Sequence, residues 1–185
     1  MAGRLYPWWM GRLLANPLRK ASQDPHAILS PFVHEGMTVL EPGCGMGYFS
    51  LPLAGLVGPT GRVVCVDLQP KMLEGLAKRS RKAGLSERLT IRQCAVTSLG
   101  IADLAGRVDF VLAFAVVHEV PDQSSFFSEV AGALKPHGRL LLAEPAHVVS
   151  EQDYELTLEK AVAAGLVVAG TPAIGRSRST LFEKG

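Results

Sequence analysis

The chain is poor in cysteine, and neither a disulfide framework nor a zinc site is expected. Its three cysteines, Cys44, Cys65 and Cys94, are odd in number and contain no Cys-x-x-Cys pair. They fall in or beside the first three predicted strands, so small buried residues are the plainer reading and a thiol or metalloid site the weaker one. No metal site is expected, and the natural location is cytoplasmic. No apolar run approaches the ~20 residues that a membrane span needs. Pro7, Gly11, Arg12 and Pro17 break up the N-terminus, so a continuous leader core is not expected there. Charge of one sign is also scarce. A net +2 does not point to nucleic acid, although Arg4, Arg12, Arg19 and Lys20 all precede the first acid, Asp24. Repeats and low-complexity linkers are missing. What remains, 185 residues with 48% hydrophobic and 19% charged, suits one globular domain with a full core.

The most informative stretch is Thr38-Val39-Leu40-Glu41-Pro42-Gly43-Cys44-Gly45-Met46-Gly47-Tyr48-Phe49-Ser50. An apolar run ends in an acid, three glycines alternate, and a helical pattern begins. This predicts a buried strand, a tight turn without Cβ atoms at its crowded points, and a helix N-terminus. Free amides and the helix dipole would favour an anionic group above the turn. A dinucleotide fingerprint would need glycine where Tyr48 stands, and a phosphate-cradling loop would end in Gly-Lys-Ser/Thr. The loop therefore suits a nucleotide-like ligand with a smaller anionic demand, such as a carboxylate. A second apolar run, Arg62–Asp67, ends in an acid about 20 residues further on, where an α/β nucleotide fold places a carboxylate for ribose hydroxyls.

From Gly36 onward strands and helices alternate. Strands are predicted over 37–41, 62–67, 88–93, 108–113 and 139–144, and helices over 47–57, 70–83, 122–134 and 150–163. Two β-like runs, 166–171 and 178–183, close the chain. Asp24-Pro25 reads as the capped start of a short helix. Alternating βα units imply an α/β fold with parallel strands and helices on both faces. Residues 1–30 stand apart as an N-terminal arm or lid, with Trp8 and Trp9 beside basic residues. That composition leaves membrane-surface contact through the arm open. Residues 31–185 form the ligand-binding domain.

Glu41-Pro42-Gly43-Cys44-Gly45-Met46-Gly47, Val66-Asp67-Leu68 and Val108-Asp109-Phe110-Val111 resemble the class I S-adenosylmethionine-dependent methyltransferases. Phe114–Asp122 and Leu134–Leu140 resemble later motifs of their small-molecule, ubiquinone/menaquinone-type branch, and the likeness covers roughly residues 30–185. It implies a three-layer Rossmann-like sandwich whose seven-stranded, mostly parallel sheet has the order 3-2-1-4-5-7-6, the seventh strand antiparallel. It further implies S-adenosylmethionine as methyl donor, S-adenosylhomocysteine as product and a small-molecule acceptor.

On that resemblance Glu41 orients the methionine end of the cofactor, and Gly43, Gly45 and Gly47 permit its close approach. Asp67 takes the ribose diol, and Leu68 packs on the adenine. Cys94 stands where the branch usually has an acid, which leaves the Ala95 amide as the adenine contact. Ala113 and Phe114 supply a carbonyl and a wall near the methionine. His118 is the candidate base, if one is needed, with Glu119 to orient it or to bind a cationic acceptor. Glu144 and His147 are weaker candidates, and Asp109 reads as structural. Nucleic acid is not expected as substrate, because no Asn-Pro-Pro-Tyr-like tetrapeptide follows the fourth strand. A non-catalytic cofactor-binding module and an NAD-dependent oxidoreductase are the alternatives.

Overall fold

The computed structural model describes residues 23–185. Most of the expected arm, up to residue 22, lies outside the described residues. The chain divides into two compact units, 23–94 and 95–185 among the described residues. Its strands hydrogen-bond in the order β3-β2-β1-β4-β5-β7-β6, one seven-stranded sheet with the expected order.

In the first unit, α1 (Pro25–Leu29) starts where Asp24 accepts the His26 amide at 3.1 Å. Strands β1 (Thr38–Pro42), β2 (Arg62–Asp67) and β3 (Leu89–Gln93) run parallel, with Val39 opposite Val63 and Val63 opposite Leu89. Central parallel strands are covered on both faces, which is why β2 reads as an unbroken apolar run; Val63 to Val66 are all buried. Helices α2 (Ser50–Leu56) and α3 (Pro70–Ala83) contribute Leu53, Ala54, Met72, Leu73 and Leu76 to the core. α3 stops at Gly84, whose φ of 68° is left-handed.

The helix expected over 47–57 is shorter than its pattern. Gly43, Gly45 and Gly47 adopt φ of 70°, 53° and 82°, and a right-handed helix cannot run through such residues. The chain stays in turns until Ser50, and the residue before it, Phe49, makes no side-chain cap.

In the second unit, β4 (Val108–Phe114) and β5 (Leu134–Pro145) are parallel, and α4 (Gln123–Ala133) links them, capped by Asp122. β5 begins earlier than the sequence pattern suggests. Leu134 pairs with Val108, residues 135–138 loop out, and pairing resumes at Arg139 with Phe110. His137 takes the left-handed turn there at φ 60°. Lys135 Nζ reaches Asp109 Oδ1 at 2.5 Å, which gives Asp109 a structural partner. α5 (Glu151–Ala163), capped by Ser150, leads to β6 (Leu166–Gly170) and then to β7 (Ser177–Lys184). β7 runs antiparallel to both β5 and β6. Among the described residues no helix is long and apolar enough to cross a membrane.

Candidate functional site

The glycine loop after β1 is built differently from the anion cradle that its sequence suggests. The Gly43 and Cys44 amides donate to the Val66 carbonyl at 2.7 and 3.2 Å, and the Gly47 amide donates to the Cys44 carbonyl at 3.0 Å. The Gly45 amide donates to Asp67 Oδ2 at 2.8 Å. These four amides are therefore engaged within the chain, and α2 is too short and too late to present a dipole to a ligand. Asp67 ties the two strand ends together, because its Oδ1 also accepts the Gln69 amide at 2.8 Å. Burial raises the Asp67 carboxyl above its usual 3.8, partly offset by the amides of Gln69, Gly45 and Leu68.

Glu41 lies beneath this loop, 4% exposed. Its Oε2 accepts the Ser50 hydroxyl at 2.5 Å, with Cys65 Sγ at 3.9 Å. Burial, with the Asp67 charge adding to it, pushes the carboxyl from 4.5 to about 8. At neutral pH Glu41 is thus mostly protonated. The loop is also held from α3: Arg79 Nη1 donates to the Met46 carbonyl at 2.6 Å. A Cβ on Gly47 would sit 2.4 Å from Leu76 Cδ1, whereas one on Gly45 would meet no heavy atom within 4 Å. Gly47 is needed for packing, and Gly45 leaves the backbone open. Ser50 and Arg79 were not foreseen from sequence, where a serine at a helix start and an arginine on a basic helix carry no special mark.

At the end of β2, Leu68 is half-buried, and its carbonyl accepts from Gln93 Nε2 at 3.3 Å. Cys94 is half-buried and in no disulfide, and its amide donates to the Asp67 carbonyl at 3.1 Å. Ala95 is exposed, but its amide donates to the Ser98 carbonyl at 3.1 Å. The expectation that this amide faces an adenine is therefore corrected: a tight turn back to Ser98 takes it.

In the second unit, Ala113 is fully buried in β4 and Phe114 is half-buried at its end. Ala115 follows at φ 54°, a conformation that costs a non-glycine residue about 1–2 kcal/mol. Its amide donates to the Ala143 carbonyl at 2.7 Å. The chain then enters a 3-10 turn, Val117–Glu119, which carries His118.

The partner of His118 is Glu144 rather than its neighbour Glu119. Glu144, 1% exposed, accepts the Val117 amide at 2.7 Å and the His118 amide at 3.3 Å on Oε1. Its Oε2 lies 2.5 Å from His118 Nδ1. Glu119 Oε1 is 4.0 Å from His118 Nε2, outside hydrogen-bond range. The expectation that Glu119 orients the ring is corrected accordingly. Adjacent residues of a tight turn project apart, while the end of β5 lies beside the turn. His118 Nε2 is buried and has no hydrogen-bond partner among the described residues. Burial pulls the His118 pKa down, but the Glu144 bond and charge, with the Glu119 charge, outweigh it and the net shift is upward from 6.5. The turn is braced from behind: Gln123 Nε2 donates to the Val117 carbonyl at 3.1 Å, and Gln123 Oε1 accepts from Lys160 Nζ at 2.8 Å. His147 is exposed.

Against known families, the profile described as a methyltransferase domain matches residues 33–179. The chain belongs to this methyltransferase family. An arsenite methyltransferase from Halobacterium salinarum is 27% identical over 150 residues, 81% of this chain and 37% of that protein. A demethylmenaquinone methyltransferase from Lactobacillus johnsonii is 30% identical over 112 residues, 60% of this chain and 45% of that protein. The chain thus spans less than half the length of these two relatives. A solved SAM-dependent methyltransferase from Aquifex aeolicus superposes with a TM-score of 0.84 at 25% identity, covering 96% of this chain and 98% of that one. The methyltransferase domain here has the class I S-adenosylmethionine-dependent architecture, with its glycine loop after β1 and its acid at the end of β2.

Proposed function

We propose that the protein transfers a methyl group from S-adenosylmethionine to a small-molecule acceptor. The observation that carries this is the clamp between the glycine loop and Asp67. The Asp67 oxygens accept the Gly45 and Gln69 amides at 2.8 Å each, with the Leu68 amide also engaged, and the carboxylate's roughly four lone-pair sites leave room for a hydroxyl donor such as a ribose offers. Gly45 leaves room beside the loop for a ligand to approach the backbone. Glu41, mostly neutral and held by Ser50, sets the loop's underside, so its role toward the methionine end is carried through the backbone. Leu68 and Cys94 offer apolar contact to an adenine, and Ala95 contributes surface rather than its amide. Ala113 and Phe114 end β4 in the second unit. The glycine loop, Asp67 and Leu68 of the first unit fit the ribose and adenine of the cofactor.

When bound, S-adenosylmethionine supplies a methyl group already activated by its sulfonium. The protein's part is then to align the acceptor and exclude water. Its relatives act on arsenite and on demethylmenaquinone by name, which supports a small acceptor. Residues 1–30, most of which lie outside the described residues, are assigned to an arm or lid in this reading, and the proposed setting is cytoplasmic. Calorimetric titration with S-adenosylmethionine, S-adenosylhomocysteine and NAD tests the reading. Binding of both sulfur compounds without NAD is expected. Binding of neither sinks it.

A further inference from the structure

We propose that Glu144 and His118 form a base dyad, so that the methyl acceptor is a group that must give up a proton, a hydroxyl above all. The inference rests on the methyl-transfer reading and narrows its substrate class.

The geometry assigns the roles of the two ring nitrogens. Glu144 already accepts two backbone N–H bonds on Oε1, and its Oε2 at 2.5 Å from Nδ1 accepts a third from the ring. A carboxylate partner places the proton on Nδ1 and the lone pair on Nε2. That second nitrogen is buried without a hydrogen-bond partner among the described residues, an arrangement that is costly as pure structure, because an unsatisfied buried polar atom gains nothing from folding. The ring keeps 17% of its side-chain surface exposed. The dyad is also held rigidly. Gln123 fixes the Val117 carbonyl, and Lys160 and Thr157 fix Gln123. The charged or titratable groups around the pair are Glu119 on the same turn, Lys160 behind Gln123, and Tyr154 and Arg178. The Tyr154 phenol is held by the Thr180 hydroxyl at 3.0 Å and feels the charges of Glu144 and Arg178.

The acceptor's proton passes to the Nε2 lone pair and leaves the O–H bonding pair on oxygen. That pair forms the new bond to the methyl carbon, and the sulfur departs as a neutral thioether with the pair of the broken C–S bond. Glu144 stabilises the imidazolium that results and is a positioning residue, since it touches the ring and not the acceptor. An acceptor with only a lone pair to offer, such as a thioether or a tertiary amine, has no need of this machinery.

The test has two arms. In ring-15N-labelled protein without cofactor, NMR above the His118 titration should show Nδ1 protonated and Nε2 bare. In Glu144→Gln the amide donates to Nδ1 and the tautomer should reverse. A parent ring protonated on Nε2 overturns the dyad. In the second arm, catechol is compared with dimethyl sulfide and trimethylamine as acceptors. Methylation of catechol is expected, slowed about a hundredfold or more in E144Q and in His118→Asn, whose amide still donates to Glu144. S-adenosylmethionine affinity should stay unchanged in both variants. Methylation confined to dimethyl sulfide and trimethylamine, or a His118→Asn variant as fast as the parent, overturns the assignment. Calorimetry on the same preparations reads the methyl-transfer proposal separately, because the NMR arm needs no cofactor.

Discussion

Glu41 and Asp67 are both carboxyl groups buried close to a backbone turn, and burial raises both, but they do different work. Asp67 holds two amides directly, so Asp67→Ala removes both acceptors and the proposed ribose contact together. Charge-assisted bonds contribute roughly 1.5–3 kcal/mol each, so cofactor affinity should fall about tenfold or more while unfolding stays cooperative. Titration calorimetry beside a urea melt checks both halves, and unchanged affinity would remove Asp67 from the site. Glu41 governs pH dependence. Its folded pKa of about 8 lies above the unfolded 4.5, so between those values the folded chain holds a proton that the unfolded chain has released. Stability is therefore expected to fall as pH rises from about 4.5 to about 8, by at most about 1.4 kcal/mol per pH unit from this group. His118 acts in the same direction, its contribution whole below 6.5 and lost as pH climbs through its raised folded value. Glu41→Gln cannot ionise, so its urea-melt stability should vary less across that window than the parent's. Parallel curves for the two proteins would remove Glu41 as the source.

At the scale of elements, the glycines divide by what surrounds them. Gly61, between α2 and β2, would place a Cβ 2.4 Å from the Val57 carbonyl oxygen and 2.8 Å from that of Met37. Backbone on two sides cannot yield easily, so Gly61→Ala should destabilise by about 1–3 kcal/mol. Gly84 ends α3 at φ 68° with no atom of the described residues within 4 Å of a Cβ, so Gly84→Ala carries only the left-handed penalty, about 1–2 kcal/mol. Chemical denaturation of both variants ranks them, and a Gly84→Ala loss as large as that of Gly61→Ala would refute the distinction. The same logic explains why one helix was misjudged and others were not. The run over 70–83 has a proline start, a glycine stop and an apolar stripe, all local signals, and α3 obeys them. The run over 47–57 carries the stripe too, but it begins on Gly47, the last of three left-handed glycines, and that backbone prevails over side-chain spacing until Ser50.

For the whole molecule, the methyltransferase match begins at residue 33, after the segment that carries Trp8 and Trp9. Deleting residues 1–20 should therefore damage acceptor turnover more than folding, read as methyl transfer against the midpoint of a thermal melt. Equal kinetics would reduce the arm to packing. The strands and helices were legible in the chain because apolar runs, glycine turns and acids at strand ends are written locally, whereas the strand order came from the family resemblance that those motifs carry. What touches what inside the site was not written there. Gly45 meets Asp67 across 22 residues, and His118 meets Glu144 across 26. Sequence alone put Glu119 beside His118, one residue away. The register that sets Phe114 opposite Ala143 brings Glu144 to the turn instead. A pattern of residues determines which segments become strands and where they stop. Only the pairing of β4 with β5 decides which carboxylate the imidazole faces, because that choice depends on distances between segments that no local propensity encodes.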